Sequence, residues 1–280
     1  MVTAFLTLVG LCMGSFVNAL VWRLHEQSMQ ARKKNPDKDY QKRLSISKGA
    51  SMCPHCKHKL SAADLIPVLS WLALGGKCRY CHKPISVQYP LVELMGAALF
   101  AASYIWWPAD LRSYEIGIFV WWLILLVGLM ALIVYDLRWL LLPNRIMYPA
   151  VVAALVMAII SIINAGSPLK ALLSTVLGIV IGGGIFYILF QISKGKWIGG
   201  GDVKLGGLLG LAVGTPGGAV LFIFVAAVLG TVVSLPMLAS GKMKRTSVIP
   251  FGPFLIIGAV VAKLFGADIL HWYQQTFINF

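Results

Sequence analysis

Two aspartates and four cysteines are the residues of this chain whose types and spacing can do chemistry. Asp136 closes one apolar stretch in Tyr135-Asp136, and Asp202 opens another in Gly199-Gly200-Gly201-Asp202-Val203-Lys204. The 280 residues include only ten Asp and Glu. An ionised carboxylate at membrane depth costs about 3 kcal/mol or more, so it is rare without a task. Two carboxyls that cannot both ionise at once form a hydrolytic dyad. One stays protonated and polarises a carbonyl, while the other takes a proton from water. No acyl-enzyme forms, and such a dyad titrates as a pair. Each acid also has a plainer use taken singly, because Asp136 and Asp202 could each cap the start of a helix.

The cysteines fall in two knuckles, Cys53-Pro54-His55-Cys56 and Cys78-Arg79-Tyr80-Cys81, with 21 residues between them. Paired C-x-x-C knuckles at this spacing predict one tetrahedral Zn²⁺ held by four thiolates. A short polar segment buries little core, and a metal substitutes for one. Two disulfides would need an oxidising compartment, and a thioredoxin-type dithiol would need only one such motif. A four-sulfur site is coordinatively closed, so the metal is structural. His55, His58 and His82 lie beside the knuckles as possible competitors, and Cys12 reads as a packing residue in an apolar segment.

These residues must be positioned by membrane-embedded helices. Apolar residues make up 59% of the chain and charged residues 12%, with a mean hydropathy of +0.81. Those values exclude an ordinary soluble domain. Apolar runs of about 20 residues predict helices rather than a barrel. Eight such segments lie near 3–22, 90–107, 116–135, 145–163, 171–192, 203–214, 217–238 and 250–266. The fold class expected is an all-α polytopic membrane protein of about eight transmembrane helices with a small zinc-stapled insert. The chain divides into a first transmembrane helix (1–22), the insert with the four-cysteine site (23–89) and a helical core (90–280). The apolar N-terminus has no basic leader or cleavage site, which makes it a retained helix.

The segment at 203–214 is short, and merging it with the next would give seven helices and move Lys242, Lys244 and Arg245 to the opposite side. Eight is preferred, with a locally thinned bilayer or a sunken Asp202. Glycines 206, 207 and 210 would let helices approach closely, as would Gly182-Gly183-Gly184. The net charge of +14 reports topology rather than nucleic-acid binding. With the N-terminus outside, 21 of the 24 Lys and Arg fall in cytoplasmic segments, as the positive-inside rule requires. Lys204 either neutralises a nearby charge or snorkels to the interface, and Glu93 either binds a substrate amine or cofactor or sits comfortably at a helix start. Residues 27–48 form a polar arm, mobile or helical.

Tyr-Asp with Gly-x-Gly-Asp resembles the Gly-x-Gly-Asp membrane aspartyl proteases. The wider pattern is similar to the bacterial type IV prepilin peptidases, the prepilin leader peptidase and N-methyltransferase type. It includes Gly14-Ser15-Phe16-Val17-Asn18 with Arg23-Leu24, the four-cysteine insert, and Ile66-Pro67-Val68-Leu69-Ser70-Trp71-Leu72. Tyr89-Pro90-Leu91-Val92-Glu93-Leu94, Leu142-Pro143-Asn144 after Asp136, Val203-Lys204-Leu205 and Pro250-Phe251-Gly252-Pro253 follow in the same order. The arm departs from the pattern, reading His25-Glu26-Gln27 where family members commonly continue with proline.

The resemblance implies removal of a short basic leader from type IV prepilins or pseudopilins, after a glycine, at the cytoplasmic side of the bacterial inner membrane. Asp136 and Asp202 match the catalytic positions. The cysteine insert marks the bifunctional type, which implies N-methylation of the new N-terminus with S-adenosylmethionine. The sequence carries no signature of the methyl-donor site. Membrane lipid is an expected partner and nucleic acid is not. The competing classes are a transporter using the acids as ion sites, and an inert assembly factor using the insert to bind partners. The absence of an inverted repeat and the placement of both acids at one face count against the first.

Overall fold

A computed structural model describes residues 1–35, 37–46, 49–241 and 249–277. Lys48, Lys242, Lys244 and Arg245, on which part of the topology rests, lie outside them. All eight apolar segments are helical, and among the described residues there are no strands, only two isolated bridges. The chain is a multi-pass membrane protein. It forms two compact units, residues 1–105 and 106–280.

In the first unit, α1 (Val2–Ala31) packs along α4 (Gln88–Ile105). The seam is built from small residues. A Cβ at Gly14 would come within 2.5 Å of the Glu93 Cα, and one at Gly10 would meet the Gly96 carbonyl. Helix α1 does not end at residue 22. It continues nine residues past the apolar run, because Arg, Leu, Glu, Gln, Met and Ala are good helix formers whatever solvent they face. Between α1 and α4 lie α2 (Lys38–Arg43), a 3₁₀ turn at Ala62–Leu65 and α3 (Leu69–Ala73). The arm is therefore partly helical. Arg23 anchors it by donating to the carbonyls of Ser45, Ile46 and Gly49, and Leu44 is fully buried.

In the second unit, α5 (Tyr114–Trp139), α6 (Asn144–Ile163), α7 (Pro168–Ser193), α9 (Pro216–Ala239) and α10 (Gly252–Phe277) are each long and apolar enough to cross a membrane, as is α1. The short helix is α8 (Gly200–Val213), 14 residues or about 21 Å. It touches α6, α7, α9 and α10, and Leu205, Leu208, Leu209, Leu211 and Ala212 are buried on it. It stops because Gly214 takes φ +74°, a left-handed cap. Helix α9 restarts at once, with Thr215 accepting from the Gly218 N–H and Pro216 in its first turn. Segments six and seven are thus separate helices, not one.

Helix α8 fits because α7 meets it backbone to backbone. A Cβ at Gly206 would collide with the Gly182 carbonyl and stand 2.7 Å from the Phe186 ring, and one at Gly210 would collide with the Gly178 carbonyl. Gly207 differs, since a Cβ there meets nothing within 4 Å. Gly206→Val should lower stability by about 2 kcal/mol or more by forcing α7 and α8 apart, whereas Gly207→Ala should be neutral or stabilising. Thermal unfolding of the two variants in detergent checks this.

Candidate active site and metal centre

In the second unit, Asp136 lies one turn from the C-terminal end of α5. The helix closes at Leu140, which adopts φ +53° and donates its N–H to the Asp136 carbonyl at 2.9 Å. Asp136 therefore does not cap the start of its own helix, as the sequence alone allowed. Its side chain serves a distant one. The Asp136 Oδ2 accepts the N–H of Gly252, the first residue of α10, at 3.1 Å. Only glycine suits that place, because a Cβ on residue 252 would stand 2.7 Å from the same oxygen. Asp136 is 6% exposed, and the partial positive charge of the α10 N-terminus offsets part of the cost of burying a carboxylate there.

Asp202 occupies the first turn of α8, and its Oδ2 accepts the Gly199 N–H at 3.3 Å. The capping role considered for Asp202 is thus present, with only one of its oxygens engaged in it. The loop leaving α5 comes back against this turn. Leu142, six residues after Asp136, lies where a Cβ on Gly201 would approach within 3.2 Å. Leu205, one turn after Asp202, borders Gly252. Gly252, whose N–H the Asp136 carboxyl accepts, thus borders the helix that carries Asp202, 66 residues further along the sequence. Lys204 points elsewhere, donating to the Asn144 Oδ1 at 3.1 Å from an exposed position.

In the first unit, Cys53, Cys56, Cys78 and Cys81 bring their Sγ atoms within 4.8 Å of one another, with Cys53 and Cys81 3.9 Å apart. Sulfurs around a tetrahedral Zn²⁺ with 2.3 Å bonds stand about 3.8 Å apart, so the cluster fits a metal ion. The knuckles repeat one backbone design. Cys53 N donates to the His58 carbonyl and Lys57 N to the Cys53 carbonyl; Cys78 N donates to Lys83 and His82 N to Cys78. Lys57 and His82, at equivalent places, both take positive φ. Burial pushes the Cys53 thiol up to about 12. At Cys78 burial acts the same way but is outweighed by the N–H groups of Cys81 and Tyr80 and by the neighbouring thiols, which bring it down to about 7. A cation is what would hold both as thiolates together. The histidines do not compete, and His58 stacks on Tyr80 with ring centroids 3.8 Å apart.

Asp64 ties the second knuckle to the 3₁₀ turn, accepting from Arg79 Nε at 2.7 Å and Tyr80 at 3.3 Å. Burial alone would raise its pKa. The bonds from Arg79 and from the Ser61 hydroxyl and N–H outweigh that and hold it at about 2.

Comparison with known proteins agrees with this division. Residues 8–107 match the bacterial peptidase A24 N-terminal domain, and residues 123–235 match the type IV leader peptidase family. A prepilin leader peptidase/N-methyltransferase of Stutzerimonas stutzeri is 35% identical over 278 residues, 95% of this chain and 92% of that one. The chain belongs to the type IV leader peptidase family. Family relatives of the same description from Bacillus subtilis (strain 168) and Pectobacterium carotovorum subsp. carotovorum are 32% and 34% identical, over 82% and 92% of this chain and 87% and 91% of their own lengths. No solved structure matches it significantly.

Sequence reasoning singled out both acids and all four thiols, but not the Gly252 N–H that holds Asp136. The Pro-Phe-Gly-Pro run at 250–253 was the available signal, since proline 250 forbids helix continuity before a helix start. If the thiols hold the insert together through a metal, Cys53→Ser or strong chelation should take metal content from one ion per chain to none. It should also open residues 49–85 to protease while the apolar helices persist. Elemental analysis with limited proteolysis reads both.

Proposed function

We propose that this chain is a membrane aspartyl endopeptidase that removes the basic leader of type IV prepilins or pseudopilins after a glycine. Asp136 and Asp202 act as the dyad. One protonated carboxyl polarises the scissile carbonyl, and the other, ionised, takes a proton from the attacking water. The first carboxyl's proton passes to the carbonyl oxygen to give a tetrahedral diol; as the C–N bond breaks, the amine takes the proton the second carboxyl received from water, and the first carboxyl recovers its own from a diol hydroxyl. The observation that carries this reading is that Asp136 accepts the first N–H of α10 and Asp202 an N–H at the start of α8, a helix that packs on α10, and that both acids fall within residues 123–235, which the peptidase family model matches. Gly199 and Gly200, ahead of Asp202, carry no side chains of their own, which suits an extended substrate backbone.

The same chain N-methylates the newly exposed terminus, and S-adenosylmethionine supplies the methyl group when bound. The metal in the cysteine cluster is Zn²⁺ in a structural role, since four thiolates leave no open coordination position. The protein resides in the bacterial inner membrane with the insert and both aspartates toward the cytoplasm, a reading that the charge bias of the sequence supports. A transporter reading gains nothing from a family whose relatives are named as peptidases, and a pair of acids held by helix N-termini is not needed by an inert assembly factor.

Cleavage of a prepilin-like peptide by the purified, metal-loaded protein should fall at least about 10²-fold in both Asp136→Asn and Asp202→Asn, with helicity and metal content intact. Activity persisting in either variant would remove that acid from the dyad.

A further inference from the structure

At about 21 Å, α8 falls roughly 9 Å short of a hydrocarbon core of about 30 Å. Beyond its far end, away from Asp202, the second unit holds a cavity with ≈ 280 Å³ of room for solvent. The first turns of α5, the last turns of α6, the start of α7 and the Gly214–Thr215 turn enclose it, and Lys263 of α10 completes the wall. Neither aspartate of the dyad lines it. Pro108, Ala109 and Ser161, all exposed, mark its open side.

Lys263 is the twelfth of the 26 residues of α10, set between the buried Ala262 and Leu264. A lysine at such depth costs about 3 kcal/mol unless something receives its charge. Among the described residues it forms no ion pair, since the two there are Lys42–Asp39 and Arg79–Asp64. Its Nζ lies over the Trp107 ring, 5.6 Å from the centroid, a contact that offsets only about 1 kcal/mol. The cavity's one acid, Glu115, is engaged by the same indole, whose Nε1 donates to the Glu115 Oε2 at 3.3 Å. Two opposite charges thus line one cavity without pairing.

They stand at different depths. Counted from the contact of Asp136 with Gly252, Glu115 lies 21 residues back along α5 and Lys263 only 11 residues along α10, about 32 and 17 Å. A ligand entering from the open side meets the acid first and the lysine below it. That is the order of charges in an aminophospholipid headgroup, whose ammonium stands nearer to water than its phosphate. Thr215 adds a donor, because its Oγ1 accepts the Gly218 N–H at 3.2 Å and leaves the hydroxyl hydrogen for a phosphate oxygen.

We propose that this cavity takes the headgroup of an aminophospholipid from the leaflet remote from the aspartates, with the phosphate on Lys263 and Thr215 and the ammonium on Glu115. A primary ammonium donates hydrogen bonds to a carboxylate, which a trimethylammonium cannot do. Bound there, the headgroup fills the depth that α8 leaves open and receives the charge of Lys263. The site shares no residue with the dyad, so it stands apart from the peptidase reading.

Native mass spectrometry of the full, metal-loaded protein, delipidated in detergent, tests this. The titrants are phosphatidylethanolamine, phosphatidylcholine and phosphatidylglycerol with matched chains. Wild type should retain phosphatidylethanolamine about tenfold more tightly than the other two, as one charge-assisted hydrogen bond provides. Glu115→Gln should erase that preference, and Lys263→Met should weaken all three lipids about tenfold. Melting temperature and metal content check that each variant is folded. A photoreactive phosphatidylethanolamine on wild type, needing no variant, should label peptides containing Trp107 or Thr215. Equal retention of the three lipids by wild type, a preference that survives both substitutions, or label confined to residues 1–105 would overturn the proposal. Phosphoethanolamine in water binding as tightly as the intact lipid would reassign the cavity to a soluble phosphate ester and overturn the lipid as its source.

Discussion

A carboxylate at the rim of an apolar helix bundle is tolerable only where backbone N–H groups meet it, and that constraint organises the second unit. Asp136 takes the first N–H of α10, and Asp202 takes the N–H just ahead of α8. Two helix N-termini must therefore open at one place. Helix α5 must close immediately after Asp136, which Leu140 achieves in a left-handed conformation. Helix α10 must open on a residue without a side chain. Helix dipoles lend each acid up to about 1–2 kcal/mol in partly buried settings, which helps to hold a charge near low dielectric without a neutralising lysine.

The price of this design falls on α8. A helix of about 21 Å surrounded by four neighbours cannot span a hydrocarbon core of about 30 Å on its own. Its stability must come from contact rather than length. The glycines facing α7 provide it, bringing the two backbones close enough that a Cβ would collide with a carbonyl. Close approach multiplies dispersion contacts in a setting where lipid gives helices no hydrophobic reason to associate.

Much of this was legible in the sequence, and the limits have physical causes. Hydropathy located all eight helices because each is apolar around most of its circumference. It missed the continuation of α1 to Ala31 because hydropathy marks where lipid ends, not where a helix does. The cysteines were legible because metal ligands need fixed residue types at fixed spacing. The aspartates stood out because acids are few. Their partners did not stand out, because the Gly252 and Gly199 N–H groups belong to the backbone, and every residue but proline has one. Asp136 looked able to cap the helix after it, yet it caps one that begins 116 residues later, a choice only tertiary packing makes.

The insert's own acids bear on how a basic leader is received. Glu26 accepts from the Tyr40 hydroxyl, Asp37 caps α2, and Asp64 is held by Arg79, Tyr80 and Ser61. Asp39 meets Lys42 only at 4.0 Å on an exposed surface, where such a pair contributes little. Four acids stand against the 13 Lys and Arg of residues 23–89, which gives the segment a net positive charge. That charge repels a basic peptide and attracts anionic headgroups. Charge steering of a basic leader by the insert is therefore unfavourable. On the proposed function, binding would then draw on the apolar segment of the substrate and on backbone contacts, which are indifferent to salt. A cleavage rate that falls little with ionic strength is the signature that separates this mode from electrostatic capture.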